Sequence, residues 1–276
     1  GGRRGRALCP PEDKAKESDG SFIMAEFGKI TVIGIGPGSM EDMTPRAKKA
    51  IESADVIVGY NTYIKLIDAL LGDRKVIGTA MMQEIDRCKM AVEEAQKGAE
   101  VVVISSGDSG VYGMAGLVLE LILELPKAER PTFGGVIAGV SAVNAAASVL
   151  GAPLMHDFAV ISLSDLLTPW EKIKKRAEMA AEGDFVIALY NPKSKKRAEN
   201  IAEIQNILLK HKSPETPVGI VTGASREGEE RILSTLKDFT KEEINMFSLV
   251  IIGNSETYVK DGWMITPRGY AKKERA

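Results

Sequence analysis

Apolar residues along this chain come in short runs, and run after run ends in small or polar residues. Val101-Val102-Val103-Ile104 is the most uniform of them: four β-branched residues with no polar alternation, the pattern of a strand covered on both faces within a parallel sheet. It gives way to Ser105-Ser106-Gly107-Asp108-Ser109-Gly110. Beyond that turn Met114, Leu117, Val118, Leu121, Ile122 and Leu125 recur at spacings of three and four, marking one face of a helix that Pro126 ends. The same pattern of strand and turn recurs at 29–33, 56–58, 76–77, 136–142, 159–163, 185–190, 218–221 and 249–252. Between these runs lie helical patterns. One starts at Thr44 as N-cap with Pro45 behind it, and one carries Ile85, Cys88, Val92 and Ala95 on a face with Gly98 as its cap. A third covers 142–150 before Gly151, and a fourth opens at Thr168, which has capping-box spacing to Glu171.

The alternation predicts an α/β protein: mainly parallel, doubly wound sheets flanked by helices, in two domains over 28–141 and 142–271. Residues 1–27 read as a disordered leader or an added segment, with Met24 a candidate natural start, and 272–276 as a tail. In open α/β sheets, ligands bind outside the carboxyl ends of the strands. Six or more strands here finish in Gly, Ser, Thr or Asn, including Thr222-Gly223-Ala224 and Gly253-Asn254, which predicts a cleft along one edge with Asp108 on it.

Charge and composition narrow the chemistry. Lys and Arg total 36 against 38 acids, so no positive excess exists to bind a nucleic acid backbone. No run of about 18 apolar residues and no signal core is present, which predicts a cytoplasmic protein that does not enter a membrane. Two cysteines, Cys9 and Cys88, exclude a disulfide framework and a four-cysteine metal site; Cys88 reads as core, and no metal is expected. His156 and His211 read as surface residues, with axial metal ligation as the alternative and His156 the better placed. Lys193, Lys195, Lys196 and Arg197 form a basic turn, either a solvated helix start or a contact for an anionic ligand. Gly34-Ile35-Gly36-Pro37-Gly38 follows a strand, as a dinucleotide fingerprint does. Pro37 lies inside it, however, and five residues separate Ser39 from the helix start at Pro45, so the helix N-terminus that should hold a pyrophosphate is missing. No acidic residue ends the second strand either, and both points count against a nicotinamide-dependent oxidoreductase.

Gly34 to Gly38, Gly107-Asp108-Ser109-Gly110-Val111-Tyr112-Gly113, Gly139-Val140-Ser141-Ala142, Leu189-Tyr190-Asn191-Pro192 and Thr222-Gly223 together resemble the tetrapyrrole methylases, the class III methyltransferases that use S-adenosylmethionine. The resemblance runs from about Gly28 to Tyr270. Gly59-Tyr60-Asn61-Thr62-Tyr63, Val111 to Met114 and Tyr190 to Ser194 resemble the branch that methylates carbon 17 of a corrin precursor and contracts its ring. The resemblance implies two α/β domains, a homodimer, a tetrapyrrole substrate, and S-adenosylmethionine in the cleft between domains, leaving as S-adenosylhomocysteine. Carried over by position, Gly36 and Pro37 shape the cleft. Gly107, Asp108 and Val111 line the cofactor, and Ser141, Ala142, Tyr190, Gly223 and Ala224 complete its pocket. Tyr63, Thr79 and Lys193 are candidates for the substrate and Tyr60 for proton transfer, while Glu84 and Arg87 stand as either substrate contacts or surface residues. The uroporphyrinogen branch of the family resembles this chain less at two positions, having an aspartate aligned with Tyr60 and a lysine with Thr79, so its proton-transfer roles do not carry over. The sulfonium is already an activated methyl donor. The protein must align it with a ring carbon and exclude water, which supplies about 7–11 kcal/mol without a nucleophilic side chain. The alternatives are a methylase of this fold with another target and a non-catalytic corrinoid-binding protein.

Overall fold

The computed structural model describes residues 26–194 and 196–273. The expected leader, with Cys9 and Met24, lies outside them apart from residues 26 and 27, as do Lys195 and most of the tail.

The first half runs β1 (Lys29–Gly34), α1 (Pro45–Ser53), β2 (Val56–Tyr60), α2 (Asn61–Lys65), α3 (Asp68–Leu71), β3 (Lys75–Thr79), α4 (Glu84–Gln96), β4 (Glu100–Ser105), α5 (Ala115–Glu124) and β5 (Thr132–Ile137). Its five strands form one sheet in the order β3-β2-β4-β1-β5, with every pairing parallel. Strand β4 lies in the middle, and its apolar run is divided between two cores. Val101 and Val103 pack with Cys88, Val92 and Val118 on one face, while Val102 and Ile104 pack with Ile51, Ile57 and Ile67 on the other. Period-two alternation in a strand covered on both faces leaves no position for a polar residue. Thr44 caps α1 as expected, its hydroxyl accepting the Ala47 amide at 3.1 Å. In α4 the inward face is Arg87, Cys88, Ala91, Val92 and Ala95. Ile85, expected there, is instead 54% exposed, because the buried stripe begins one turn further on.

The second half runs α6 (Ala142–Leu150), β6 (Gly151–Ala152), β7 (Phe158–Ser162), α7 (Trp170–Glu182), β8 (Val186–Tyr190), α8 (Asn200–Leu208), β9 (Pro217–Thr222), β10 (Glu230–Thr235), β11 (Ser248–Ile252), β12 (Tyr258–Lys260), β13 (Trp263–Ile265) and α9 (Tyr270–Lys273). The α/β class holds, but this sheet departs from the parallel expectation. Its order is β10-β9-β11-β8-β7; only β7 and β8 are parallel, and β11 runs antiparallel to both β8 and β9. The physical reason is a missing crossover helix. Strand β10, half polar and therefore not visible as an apolar run, returns alongside β9, and only a single 3-10 turn at Phe239–Lys241 precedes β11. Antiparallel neighbours need no crossover, whereas a parallel pair needs a dozen residues or more. The capping box at α7 is also absent. Pro169 holds the cap position, no side chain caps the helix, and Glu171 pairs with Lys174 at 2.7 Å instead. A small third sheet has the order β12-β13-β6, with β13 antiparallel to β12 and parallel to β6. Among the described residues no helix is long and apolar enough to cross a membrane.

Candidate functional site

The loops that leave β1, β2 and β4 face those that leave β8 and β9 across a cavity of about 190 Å³. Its floor is backbone packed on backbone. The Gly36 amide donates to the Gly107 carbonyl at 3.0 Å and the Gly107 amide to that of Gly36 at 2.7 Å. Gly107 has φ +65°, and a Cβ on it would lie 3.3 Å from the Ala142 nitrogen, so the turn after β4 can approach α6 closely only as glycine. Asp108 clamps this turn to the exit of β5: one carboxylate oxygen accepts the Gly139 amide and the other the Gly110 amide, both at 2.9 Å.

The opposite wall is aromatic and small. Tyr112 reaches across from the first half and donates its hydroxyl to the Val160 carbonyl at 3.2 Å, while its ring meets that of Tyr190 edge-on at 5.1 Å. The Tyr190 oxygen accepts the Val143 amide at 3.0 Å. It thereby satisfies a first-turn donor of α6 that Ser141 leaves free, since the Ser141 hydroxyl points to Asn144. Burial pushes both phenols above their ordinary range, so both stay neutral. Ala142 and Ala146 on α6, with Gly223 and Ala224 after β9, keep that part of the wall small, while Met246, Phe247 and Leu249 line the part before and within β11.

Sequence reasoning missed the loop that ties the halves together over this cavity. Ser225 donates to Ser39 at 2.8 Å and also bonds Asp42. Arg226 donates through Nε to the Pro37 carbonyl at 2.8 Å and through Nη2 to the Ser106 hydroxyl at 2.9 Å. The only signal for it in the sequence is a single arginine directly behind a small-residue strand end.

Of the expected site residues, Pro37, Gly107, Asp108, Val111, Ala142, Tyr190, Gly223 and Ala224 border the cavity, and so does Tyr63. Gly36 and Ser141 do not border it, but Gly36 is bonded to Gly107 and Ser141 lies against Gly107. Tyr60 stands outside the wall, its ring edge-on to Tyr63 at 5.1 Å with the Arg87 guanidinium 5.8 Å from its centroid. Arg87 is neither a surface residue nor a free contact. It is 4% exposed and donates to Thr79 at 2.7 Å and to the Ala80 carbonyl at 3.1 Å, so the Thr79 hydroxyl, expected to meet substrate, is turned to Arg87. Burial raises the Tyr63 phenol, opposed chiefly by the charge of Arg226.

Other expectations do not converge here. Lys193 lies outside the wall, and Arg197 is paired with Asp165 at 2.7 Å, so the basic turn is partly neutralised. His156 lies at the opposite end of the second sheet, in a separate cavity of about 280 Å³ with Asp157 and Asp184, and His211 is bonded to Glu178 at 3.2 Å on α7. Neither histidine is placed for axial ligation in the cleft. Gly253-Asn254 also lies at that far end, because β11 runs against its neighbours; its first residues, Ser248 and Leu249, are the ones that meet the cavity. Among the described residues no group of three or more ligating side chains could hold a metal ion.

Residues 29–240 match the sequence profile of the tetrapyrrole (corrin/porphyrin) methylases. A cobalt-factor III methyltransferase of Priestia megaterium is 54% identical over 89% of this chain, which spans 46% of that longer protein. A probable cobalt-factor III C(17)-methyltransferase of Salmonella typhimurium is also 54% identical, over 87% of this chain and 99% of its own length. Among solved structures, the methyltransferase CobJ superposes with a TM-score of 0.82 at 36% identity, covering 87% of this chain and 100% of that one. A uroporphyrin-III C-methyltransferase from Thermus thermophilus, solved with S-adenosyl homocysteine, shares the fold at a TM-score of 0.62 and 20% identity, covering 82% of this chain and 92% of that one.

Proposed function

This chain belongs to the tetrapyrrole methylases, and from that premise we propose that it transfers the methyl group of S-adenosylmethionine to carbon 17 of cobalt-factor III, with contraction of the ring to cobalt-precorrin-4. One observation carries the reading: the Salmonella relative named for that activity is 54% identical and matched over 99% of its length. Precorrin-3B, the metal-free counterpart that yields precorrin-4, is the second substrate to test.

The cavity suits the cofactor. Glycine and alanine at Gly107, Ala142, Ala146, Gly223 and Ala224 leave room for a ligand against backbone, and the Tyr112–Tyr190 pair offers it an aromatic face. When bound, S-adenosylmethionine supplies an electrophilic methyl group on a sulfonium. The chain's own task is then positional: Asp108 holds the turn after β4 in place, Tyr190 fixes the first turn of α6, and the Arg226 loop closes the two halves and excludes water. Contraction moves protons as well. Tyr63 rather than Tyr60 faces the cavity, and its phenol, raised by burial, is a neutral hydrogen-bond donor there; Tyr60, edge-on to Tyr63 and beside Arg87, orients it. On the same reading the enzyme works as a homodimer in the cytoplasm, a state that light scattering checks.

Incubation with carbon-13 methyl-labelled S-adenosylmethionine and each of the two substrates, followed by NMR of the product, is the test. We expect one labelled methyl group at carbon 17 of a ring-contracted product. A label on another carbon rejects this member of the family, and no transfer with either substrate rejects the reading.

A further inference from the structure

We propose that Arg226 is a specificity-determining residue that receives one peripheral carboxylate of the tetrapyrrole. The inference rests on the methylase reading above. Tetrapyrrole precursors carry acetate and propionate arms around the ring, so a site that must present one chosen carbon needs a fixed cation to set the ring's rotation. Among the described residues that border the cavity, Arg226 supplies the only cationic side chain. It pairs with no carboxylate among those residues. Its two hydrogen-bonded nitrogens face neutral acceptors, the Pro37 carbonyl and the Ser106 hydroxyl, and Nη1 has no partner among the described residues. The acid in the same wall, Asp108, is already occupied by two backbone amides. A half-buried guanidinium without a counter-ion is costly, and an incoming carboxylate offsets that cost with charge-assisted, bidentate hydrogen bonds.

The side chain is also built into position. Its stem lies over Gly38, where a Cβ would come 2.5 Å from the Arg226 Cγ and φ is +151°, so only glycine lets the arginine lie flat against the loop after β1. The two bonds to the first half then orient the fork. Tyr63 and Arg226 border the same cavity, so a carboxylate held by Arg226 brings the ring edge to the side of the cavity that Tyr63 lines. Lys193 and Arg197, the basic residues that sequence favoured, lie outside the wall or are already paired.

The test compares binding of cobalt-factor III with binding of its fully methyl-esterified form, by absorption titration in the presence of S-adenosylhomocysteine, for the parent, Arg226→Gln, Arg226→Lys and Ser106→Ala. Arg226→Gln should weaken the acid roughly 10- to 100-fold and leave the ester within about twofold of the parent, by the logic of a double-mutant cycle. Arg226→Lys should recover part of the loss. Ser106→Ala removes a tie to the first half but keeps the cation, so it should retain the preference for acid over ester. Equal weakening of acid and ester by Arg226→Gln, or no weakening, overturns the inference and makes Arg226 a tie between the halves only. Binding needs no turnover: a parent that binds the acid through Arg226 but transfers no methyl group sustains this inference while rejecting the proposed reaction. A parent that binds neither form overturns both.

Discussion

The two sheets deliver loops to one cavity by different routes. In the first, every strand is parallel, so every carboxyl end lies on the same edge, and β1, β2 and β4 all release their loops toward the cleft. In the second, β8 and β9 do the same but β11 is reversed, so the cleft receives the first residues of β11 while its Gly253-Asn254 end closes a different cavity about His156 and Asp184. A small-residue strand end therefore marks a ligand edge only where strand direction is known, and direction depends on the connections rather than on the strands themselves. The halves are joined across the cleft by a few polar ties, Tyr112 to Val160, Ser225 to Ser39, and Arg226 to Pro37 and Ser106.

The largest expected effect tests whether those ties make the unlike halves one cooperative unit. Phe239→Ala in the second core, at a fully buried position, should cost about 3–5 kcal/mol, and Ile57→Ala in the first about 2–5 kcal/mol. Both tryptophans, Trp170 and Trp263, lie in the second half, so their fluorescence reports that half while far-ultraviolet circular dichroism reports both. In urea the two signals should give one midpoint, and Ile57→Ala should lower it in fluorescence as much as in dichroism. Separate midpoints would show that the cleft joins two independently folding halves.

A smaller effect separates the cleft from the far edge of the second sheet. Asp108→Ala at the cleft leaves the Gly110 and Gly139 amides without their acceptor, which should destabilise by roughly 1–3 kcal/mol and lower kcat/KM for S-adenosylmethionine. Asp157→Ala, beside His156 in the far cavity and mostly exposed, should change neither. Equal loss of activity in the two variants would mean that the far cavity shares in catalysis.

Much of the first half was legible because its physics is local. A short β-branched run bounded by small residues favours a strand covered on both faces, and Thr44-Pro45 announces a helix start that the structure contains. The glycine motifs were legible for the same reason, since φ values such as that of Gly107 exclude most other residues. What stayed hidden depends on distant partners. The half-polar β10 is a strand because β9 pairs with it, and nothing in Glu230 to Thr235 alone says so. Arg87 reads as either a substrate contact or a surface residue until α4 turns it inward to Thr79, and the reach of Arg226 to Pro37 spans 189 positions, far beyond any motif. Thr168-Glu171 shows the converse error, a correct local spacing displaced by Pro169 at the cap.

On the proposed reading S-adenosylmethionine binds between these unlike sheets, with the floor of its cleft at Gly107 and the wall at Tyr190 and Gly223. A crystal structure of the protein with S-adenosylhomocysteine tests it most directly. Density for the ligand is expected against Gly107, Ala142, Tyr190 and Gly223; density in the cavity at His156 and Asp184, with the cleft left empty, would contradict that placement.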